Sequence, residues 1–535
     1  MSLSRPAVAS ETAQRASSPE SKDGRRRRSL LLKACIFATG LAGIVAEYAM
    51  STLASYLLGN SVRQWALTIS LMLFAMGLGS RLSKHIHHRL LEAFLVVELA
   101  LSVLCAVSAL LAYLLSAYIT EVGLFIYLMS AAIGVLIGLE IPLVARLNDF
   151  FEELRVNLSA VLEKDYYGAL LGGLLFAFVA LPYWGLTYTP IAVGAVNFAV
   201  AAMLFWSNRK LLHFRRRLMF AFAAVPVLLA GLALGAQPIV LFGEQAKYRD
   251  RIIYQEQTPY QKIVLTQWRD HFWLYLDGNE QFSSYDEEKY HEPLVHPAMS
   301  VGPAARVLIL GGGDGLALRE VLKHRSVQQV TLVDIDPAIT ALAASHPLFL
   351  KLNQGALQDG RVQLVPQDAY RFLQDDSRIY DVIIIDLPDP KTIELARLYT
   401  REFYALAARH LAVGGRMVTQ ATSPFFSKLA FLSILKTMRA AGLTAVAYHN
   451  HIPTMGEWGW VLGLKAAPAN EAALQTALLA ADFAAVPTKF LNRAAMVHML
   501  HFGKGVLDQL DAVAVTNELD LTVYHYYRQG DWDIY

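Results

Sequence analysis

"LILGGGDGLALREVLKH", residues 308–324, sets four glycines and an aspartate between an apolar run and a helical pattern. Glycine tolerates positive φ and has no side chain to hold a ligand away. A strand ending in such a turn therefore brings backbone against a nucleotide or nucleoside. Beyond the turn, strands and helices alternate. "RVLIL" is followed by a helix from about 316, then "QVTLVD", a helix from Pro337, "RVQLVP" and a helix from Ala369. Next come "YDVIIID", a helix near 400–412, "GRMVTQ", a helix at 427–441, "TAVAYHN" and "GWVLGLK". That order predicts a mostly parallel sheet with helices on both faces, its ligand lying beyond the carboxyl ends of the strands. Before the turn, "RIIYQEQ", "QKIVLTQW" and "HFWLYLDG" alternate in short runs and predict a small antiparallel sheet.

The rest of the chain is of another kind. Hydrophobic residues make up 55% and charged residues 17% of the 535, with the charge concentrated after residue 245. Apolar stretches long enough to cross a bilayer lie at about 31–58, 65–82, 91–118, 122–146, 167–184, 187–206 and 217–242. "RLSKHIHHR" (81–89), "ARLNDFFEELR" (145–155) and "NRKLLHFRRR" (208–217) alternate with short, nearly uncharged connections. The basic set, with Arg25 to Arg28, belongs in the cytoplasm by the positive-inside rule. "HIHH" (85–88) reads as part of that basic loop rather than a metal site. Only two cysteines occur, Cys35 and Cys105, both within apolar runs, which argues against a disulfide framework or a zinc site. Glu47 and Glu140 fall within spans, where an ionisable group is costly and raises the question of proton or cation passage.

The expected organisation is a disordered basic tail over 1–29, a multi-pass α-helical membrane domain of about seven helices over 30–243, and a small β domain over 244–300. An α/β Rossmann-like, methyltransferase-like domain over 301–468 and a C-terminal extension over 469–535 complete it. The extension carries no motif and is expected to cover the sheet or touch the membrane.

Within the α/β domain, Gly311, Gly312, Gly313 and Gly315 form the ligand turn, and Asp334 ends the second strand about 20 residues on, where a carboxylate commonly holds ribose hydroxyls. NAD, flavin and S-adenosyl ligands all use such a turn. The position of the acid separates them. No acidic residue precedes the glycines, and Asp314 lies inside the turn. A carboxylate there suits a donor whose tail ends in an ammonium, as in decarboxylated S-adenosylmethionine. It disfavours S-adenosylmethionine itself, and with it a methyltransferase.

With these residues in view the chain resembles the spermidine synthase (polyamine aminopropyltransferase) family over about 250–465, and its apolar half resembles the membrane-anchored bacterial members. The resemblance rests on "YQKIVL" (260–265), "LDGNEQFSSYDEEKYHEPLVH" (276–296), "GGGDGLALREVLKH" (311–324), "VDID" (333–336), "QDAYRFL" (367–373) and "DLPDP" (386–390). It implies that Gln261, His291, Asp314, Asp334, Asp368 and Ala369 hold the donor or its methylthioadenosine product. It implies Asp386 as catalytic acid/base and Asp389 as a ligand for the diamine, with Tyr290, Asp277 and Gln281 lining the same cleft.

The chemistry agrees. An alkylammonium has a pKa near 10.4, as in lysine, and arrives protonated and inert. A carboxylate at the tip of "YDVIIID" removes that proton, and further carboxylates orient the far ammonium for in-line attack. The reaction calls for neither metal nor cofactor, the decarboxylated donor being a co-substrate. Three departures bear on the acceptor. Leu387 and Pro388 replace the small hydroxyl residues usual between the aspartates, and "DPKTIELARLY" has no glycine. Met455, Glu457 and Trp458 stand where a tyrosine and proline are usual, and Glu457 is expected to bind a second ammonium or to cap the strand.

The expected partners are putrescine, the decarboxylated donor and a lipid bilayer, with no nucleic acid; a homodimer is compatible with the reading. A polyamine-binding sensor or carrier is the alternative from another class. The expected location is the inner membrane. Seven spans from a cytoplasmic N-terminus put residues 245–535 outside, whereas an intracellular donor puts them in the cytoplasm. The second placement is the one expected, on the ground that a single misread span reverses the count.

Overall fold

The computed structural model describes residues 22–58, 61–119, 121–148, 154–209, 212–466 and 470–532. The chain divides into two compact units, Met1–Arg249 and Asp250–Tyr535. Of the tail expected to be disordered, residues 1–21 lie outside the described residues. From Lys22 onward the chain is already helical.

Unit 1 is built of α1 (Lys22–Leu58), α2 (Ser61–Ser83), α3 (Leu90–Ser116), α4 (Val122–Asn148), α5 (Leu154–Leu175), α6 (Gly185–Asn208) and α7 (Arg215–Gln245). Among the described residues, six uninterrupted helical runs are long and apolar enough to cross a membrane. The fifth, Asn157–Asn208, is 52 residues long and contains the two stretches read separately from sequence. It folds back on itself. Residues Phe176–Trp184 form a π-helical turn containing Pro182, whose missing N–H and ring bulk disrupt the regular ladder. Gly185 then takes φ 60° and ψ −169° and reverses the chain. Across the bend Thr189 Oγ1 donates to Ala180 O at 3.2 Å.

Contacts fix the direction of every segment. A Cβ at Gly168 would lie 2.1 Å from Phe37 O and one at Gly172 2.6 Å from Leu41 O, so α5 runs parallel to α1. Gly134 meets Met72 and Gly138 meets Met76, so α2 and α4 are parallel. Gly194 lies on Ser102 and Gly243 on Tyr113, which makes α6 descend and α7 climb beside α3. At one end Glu92 accepts from the Phe214 amide at 2.9 Å, and Arg146 donates to Ile86 O at 2.9 Å. At the other, Tyr56 donates to Glu244 at 2.7 Å and its ring lies 6.0 Å from that of Tyr113. The seven segments alternate in direction, and the chain leaves the bundle at the Tyr56 end.

Unit 2 opens with an antiparallel meander, β1 (Arg251–Gln257), β2 (Lys262–Trp268), β3 (His271–Leu276) and β4 (Asn279–Ser283), as expected. Then follow α8 (Glu288–Ser300), β5 (Arg306–Gly311), α9 (Leu316–Leu322), β6 (Gln329–Asp334), α10 (Pro337–Ser345), β7 (Val362–Pro366), α11 (Ala369–Asp375) and β8 (Tyr380–Asp386). After these come α12 (Arg401–Arg409), β9 (Leu411–Gln420), α13 (Lys428–Ala440), β10 (Thr444–Ile452) and β11 (Gly456–Leu464). The sheet order is β10-β11-β9-β8-β5-β6-β7. Strands β9 to β7 are parallel, and β11 and β10 are antiparallel additions at one edge. Alternate residues of β5 serve the two faces. Val307 and Ile309 join one core, Leu308 and Leu310 the other. The extension forms α14 (Glu471–Ala480), α15 (Arg493–Met499) and α16 (Thr522–Arg528). Its Val523 and Tyr524 are buried in the second of those cores.

Candidate active site

The order β8-β5-β6-β7 sets four strand ends side by side, and the expected residues follow that order. Asp386 ends β8, the glycine turn follows β5, Asp334 ends β6, and Asp368 with Ala369 opens the helix after β7. Gly311 has φ 83°, and a Cβ there would lie 2.0 Å from Asp386 O. Only glycine lets β5 turn this close to β8. The Gly312 amide then donates to that oxygen at 3.1 Å.

The carboxylates are half-buried, withdrawn from bulk water but open to a cleft. Asp334 accepts from the Gly313 amide at 3.0 Å and from the Asp336 amide at 2.9 Å, so it also braces the turn. Burial pushes its pKa up to about 6. Asp314 accepts from the Leu316 amide at 2.8 Å at the start of α9. Burial likewise pushes it up to about 6, against the pull of His291. Tyr290 donates to Asp386 Oδ1 at 2.8 Å. Burial raises the Asp386 carboxyl above its ordinary range, while His291 and the Tyr290 hydrogen bond oppose the rise.

His291 is 2% exposed and rests through Nδ1 on Glu287, 2.9 Å from Oε2. Arg319 grips the same carboxylate with two bonds of 2.8 and 2.9 Å. Burial disfavours the imidazolium, but the hydrogen bond and charge of Glu287, with Asp314 and Asp386 nearby, push His291 up to about 9. Burial also works against ionised Glu287, yet His291 and Arg319 hold it down at about 2. A fixed positive charge thus stands among the cleft carboxylates. The sequence reading omitted Glu287 and Arg319, although the four-residue spacing from Glu287 to His291 on one helical face was available as a signal.

Beyond β8, Asp389 accepts from Gln420 Nε2 at 3.1 Å and is hydrogen-bonded by Tyr527 of α16. Burial raises its pKa; those two bonds and the charge of Lys391 oppose the rise. Tyr399 donates to Pro388 O at 3.0 Å and holds the Leu387–Pro388 turn. The lysine in the glycine-free loop, Lys391, has its ammonium in the field of both Asp389 and Asp277. Tyr527 had no local signal. Only the fold returns it to Asp389.

Three expectations change in detail. Gln261 reaches the cleft loop by donating to Asp336 Oδ2 at 3.0 Å, an acid that the sequence reading left without a role. Asp368 caps α11, accepting from the Arg371 amide at 2.9 Å, and Ala369 is buried beside it. Glu457 is not at the amine end of the cleft. Strand alternation turns Trp458 toward Tyr290, their rings 6.4 Å apart, and Glu457 to the other face. There it hydrogen-bonds His449, lies 3.6 Å from His451 and lines a separate cavity of about 430 Å³ with Phe425, Phe426 and Phe502. A one-residue difference in facing decides it.

The spermine/spermidine synthase domain family matches residues 287–474, leaving Tyr527 outside the match. The polyamine aminopropyltransferase 2 of Aquifex aeolicus is 42% identical over 94% of this chain and 99% of its own. The polyamine aminopropyltransferase of Oceanobacillus iheyensis is 40% identical over 87% and 90% of the two chains. A spermidine synthase structure from Thermotoga maritima aligns at 26% identity and a TM-score of 0.43, covering 49% of this chain and 88% of that one. The likeness to the two bacterial transferases runs through both units: the chain belongs to the polyamine aminopropyltransferase (spermidine synthase) family, and it is an enzyme.

Proposed function

We propose that the enzyme transfers the aminopropyl group of decarboxylated S-adenosylmethionine to putrescine, giving spermidine and 5'-methylthioadenosine. The observation that carries this reading is the set of half-buried carboxylates, Asp314, Asp386 and Asp389, along adjoining strand ends. The donor lies across the glycine turn, its ribose against Asp334 and its ammonium tail facing Asp314. Asp389 and Gln420 orient the far ammonium of the diamine. Asp386 accepts the proton lost by the near nitrogen. A C–N bond forms as the C–S⁺ bond breaks, and the sulfonium leaves as a neutral thioether. Carboxylates around two cationic substrates supply the electrostatic stabilisation, and His291 keeps that field from becoming wholly negative. No step calls for a metal or cofactor. The test is product analysis after supplying the detergent-solubilised full chain with labelled decarboxylated donor and a panel of diamines. Labelled spermidine from putrescine is expected. Preference for another amine, or methylation from S-adenosylmethionine, overturns the assignment.

Unit 1 is proposed to sit in the inner membrane. Its outer surface supports this: Phe178, Phe220, Val227 and Leu234 are all more than 70% exposed. A homodimer is the proposed assembly, to be read from the mass of the solubilised protein. The nucleoside donor favours residues 250–535 in the cytoplasm, and that is the placement proposed. Helix order favours a second reading. The seven segments end opposite Arg81, Arg89, Arg146 and Arg215 to Arg217, and such a bias normally holds the basic end in the cytoplasm. A C-terminal reporter that works on only one side decides between them. Signal inside fits the donor, and signal outside requires the donor to cross.

A further inference from the structure

The transfer proposed above uses no acid of unit 1. Glu98 of α3 is 0% exposed and shares a carboxyl–carboxyl hydrogen bond with Glu140. Glu140 of α4 faces it at close range and stands beside Thr39 of α1. Asp165 of α5 lies against the next residue of α1: a Cβ at Gly40 would be 2.7 Å from its Oδ1. Three carboxyl groups from three helices thus meet around Thr39–Gly40, midway along α1. Among the described residues no ion pair with Lys, Arg or His reaches any of them.

Independent polar groups point the same way. Ser102, one turn after Glu98 on the same face, is fully buried with its hydroxyl unpartnered. Gly194 of α6 packs on Ser102, and α6 descends beside the climbing α3. Asn197, one turn further along α6, therefore comes level with Glu98. It is 3% exposed, and its Oδ1 is unpartnered. An amide oxygen and a hydroxyl without partners thus share one buried seam with the carboxyl groups. Leaving such groups unsatisfied in an apolar interior is costly. Among the described residues no group of acids, histidines or cysteines is spaced to hold a metal ion. A primary ammonium brings three donors and no acceptor, and so fits the deficit.

We propose that Glu98, Glu140, Asp165, Ser102 and Asn197 form a binding site for alkylammonium ions, through which unit 1 admits or releases the amines handled by unit 2. The occupant, though not the site, rests on the function proposed above. The test uses the full chain in phosphatidylcholine–phosphatidylglycerol vesicles with radiolabelled putrescine and spermidine. Uptake should exceed that of the Glu98→Gln and Glu140→Gln proteins about tenfold or more, the factor expected for one lost charge-assisted hydrogen bond. Aminopropyl transfer by the same variants in detergent should be unchanged, which also shows that they fold. In wild-type protein, spermidine should protect Glu98 from a hydrophobic carbodiimide, a readout that needs no variant. Equal uptake by wild type, variants and protein-free vesicles overturns the proposal. So does proton movement without amine movement, or labelling of Glu98 indifferent to spermidine. Uptake without any aminopropyl transfer would instead remove the enzymatic assignment and leave the site standing.

Discussion

Asp386 is asked to remain ionised in a place that resists ionisation. Burial raises its pKa, and Tyr290 donates to the ionised form and opposes that rise. Asp386→Asn keeps the shape and loses the proton acceptor. Turnover should fall by about 10²–10⁴ with donor affinity nearly unchanged, in steady-state rates read beside calorimetry of donor binding. Tyr290→Phe makes a finer test. Asp386 accepts a proton only when ionised, so activity falls as pH drops through its pKa. Removing the phenol raises that pKa, so the acid limb of the kcat/KM profile should move to higher pH. A limb that stays in place, or moves down, would separate Tyr290 from the base. Asp386 itself was legible in the sequence, because an aspartate ending an apolar strand can only be at the ligand edge. Its partner was legible only through resemblance, since nothing local ties residue 290 to residue 386.

At the scale of elements, two helices are bound to the turn by charge. His291 on α8, Glu287 at its N-cap and Arg319 on α9 form one buried ladder. His291 titrates ordinarily at 6.5 and in the fold at about 9. The stability it contributes is therefore fully present below about pH 6.5 and is lost as pH rises through about 9. His291→Gln should lower the melting temperature of the full chain most near pH 6, with the gap to wild type closing toward about pH 10. A gap independent of pH would mean that packing, not charge, fixes the ladder. The extension offers a second case. Tyr527 comes from α16 to hold Asp389, and Tyr527→Phe should raise the KM for the amine about tenfold or more, with donor affinity unchanged. An unaltered amine KM would make the contact structural. Such a contact is invisible from sequence because it joins positions 138 residues apart through an element without a motif. The alternation of β5 to β9, by contrast, was legible, since β5, β6 and β8 are apolar runs closed by Gly311, Asp334 and Asp386 with helical patterns between them.

For the whole molecule, hydropathy gave the seven stretches and the fold-back at Gly185 explains why two of them lie only two residues apart. What hydropathy did not show was which acids meet. Glu47 and Glu140 stood out within apolar runs, but Glu98 and Asp165, which share the seam with Glu140, did not. Helix directions alone bring them together. In unit 2 the edge was the hardest part to read. β11 runs against both its neighbours, and strand alternation sends Glu457 away from the cleft and Trp458 toward it.

Cys35 and Cys105 are the only thiols in the chain, and both are buried within unit 1. Nothing in residues 250–535 can be alkylated, nitrosylated or cross-linked through a thiol, so aminopropyl transfer should survive maleimide treatment intact. The same vacancy makes the molecule its own labelling background. A Val413→Cys protein, at a position 96% exposed, would carry a single addressable thiol. A membrane-impermeant maleimide applied to whole cells would then report on which side of the membrane that thiol lies.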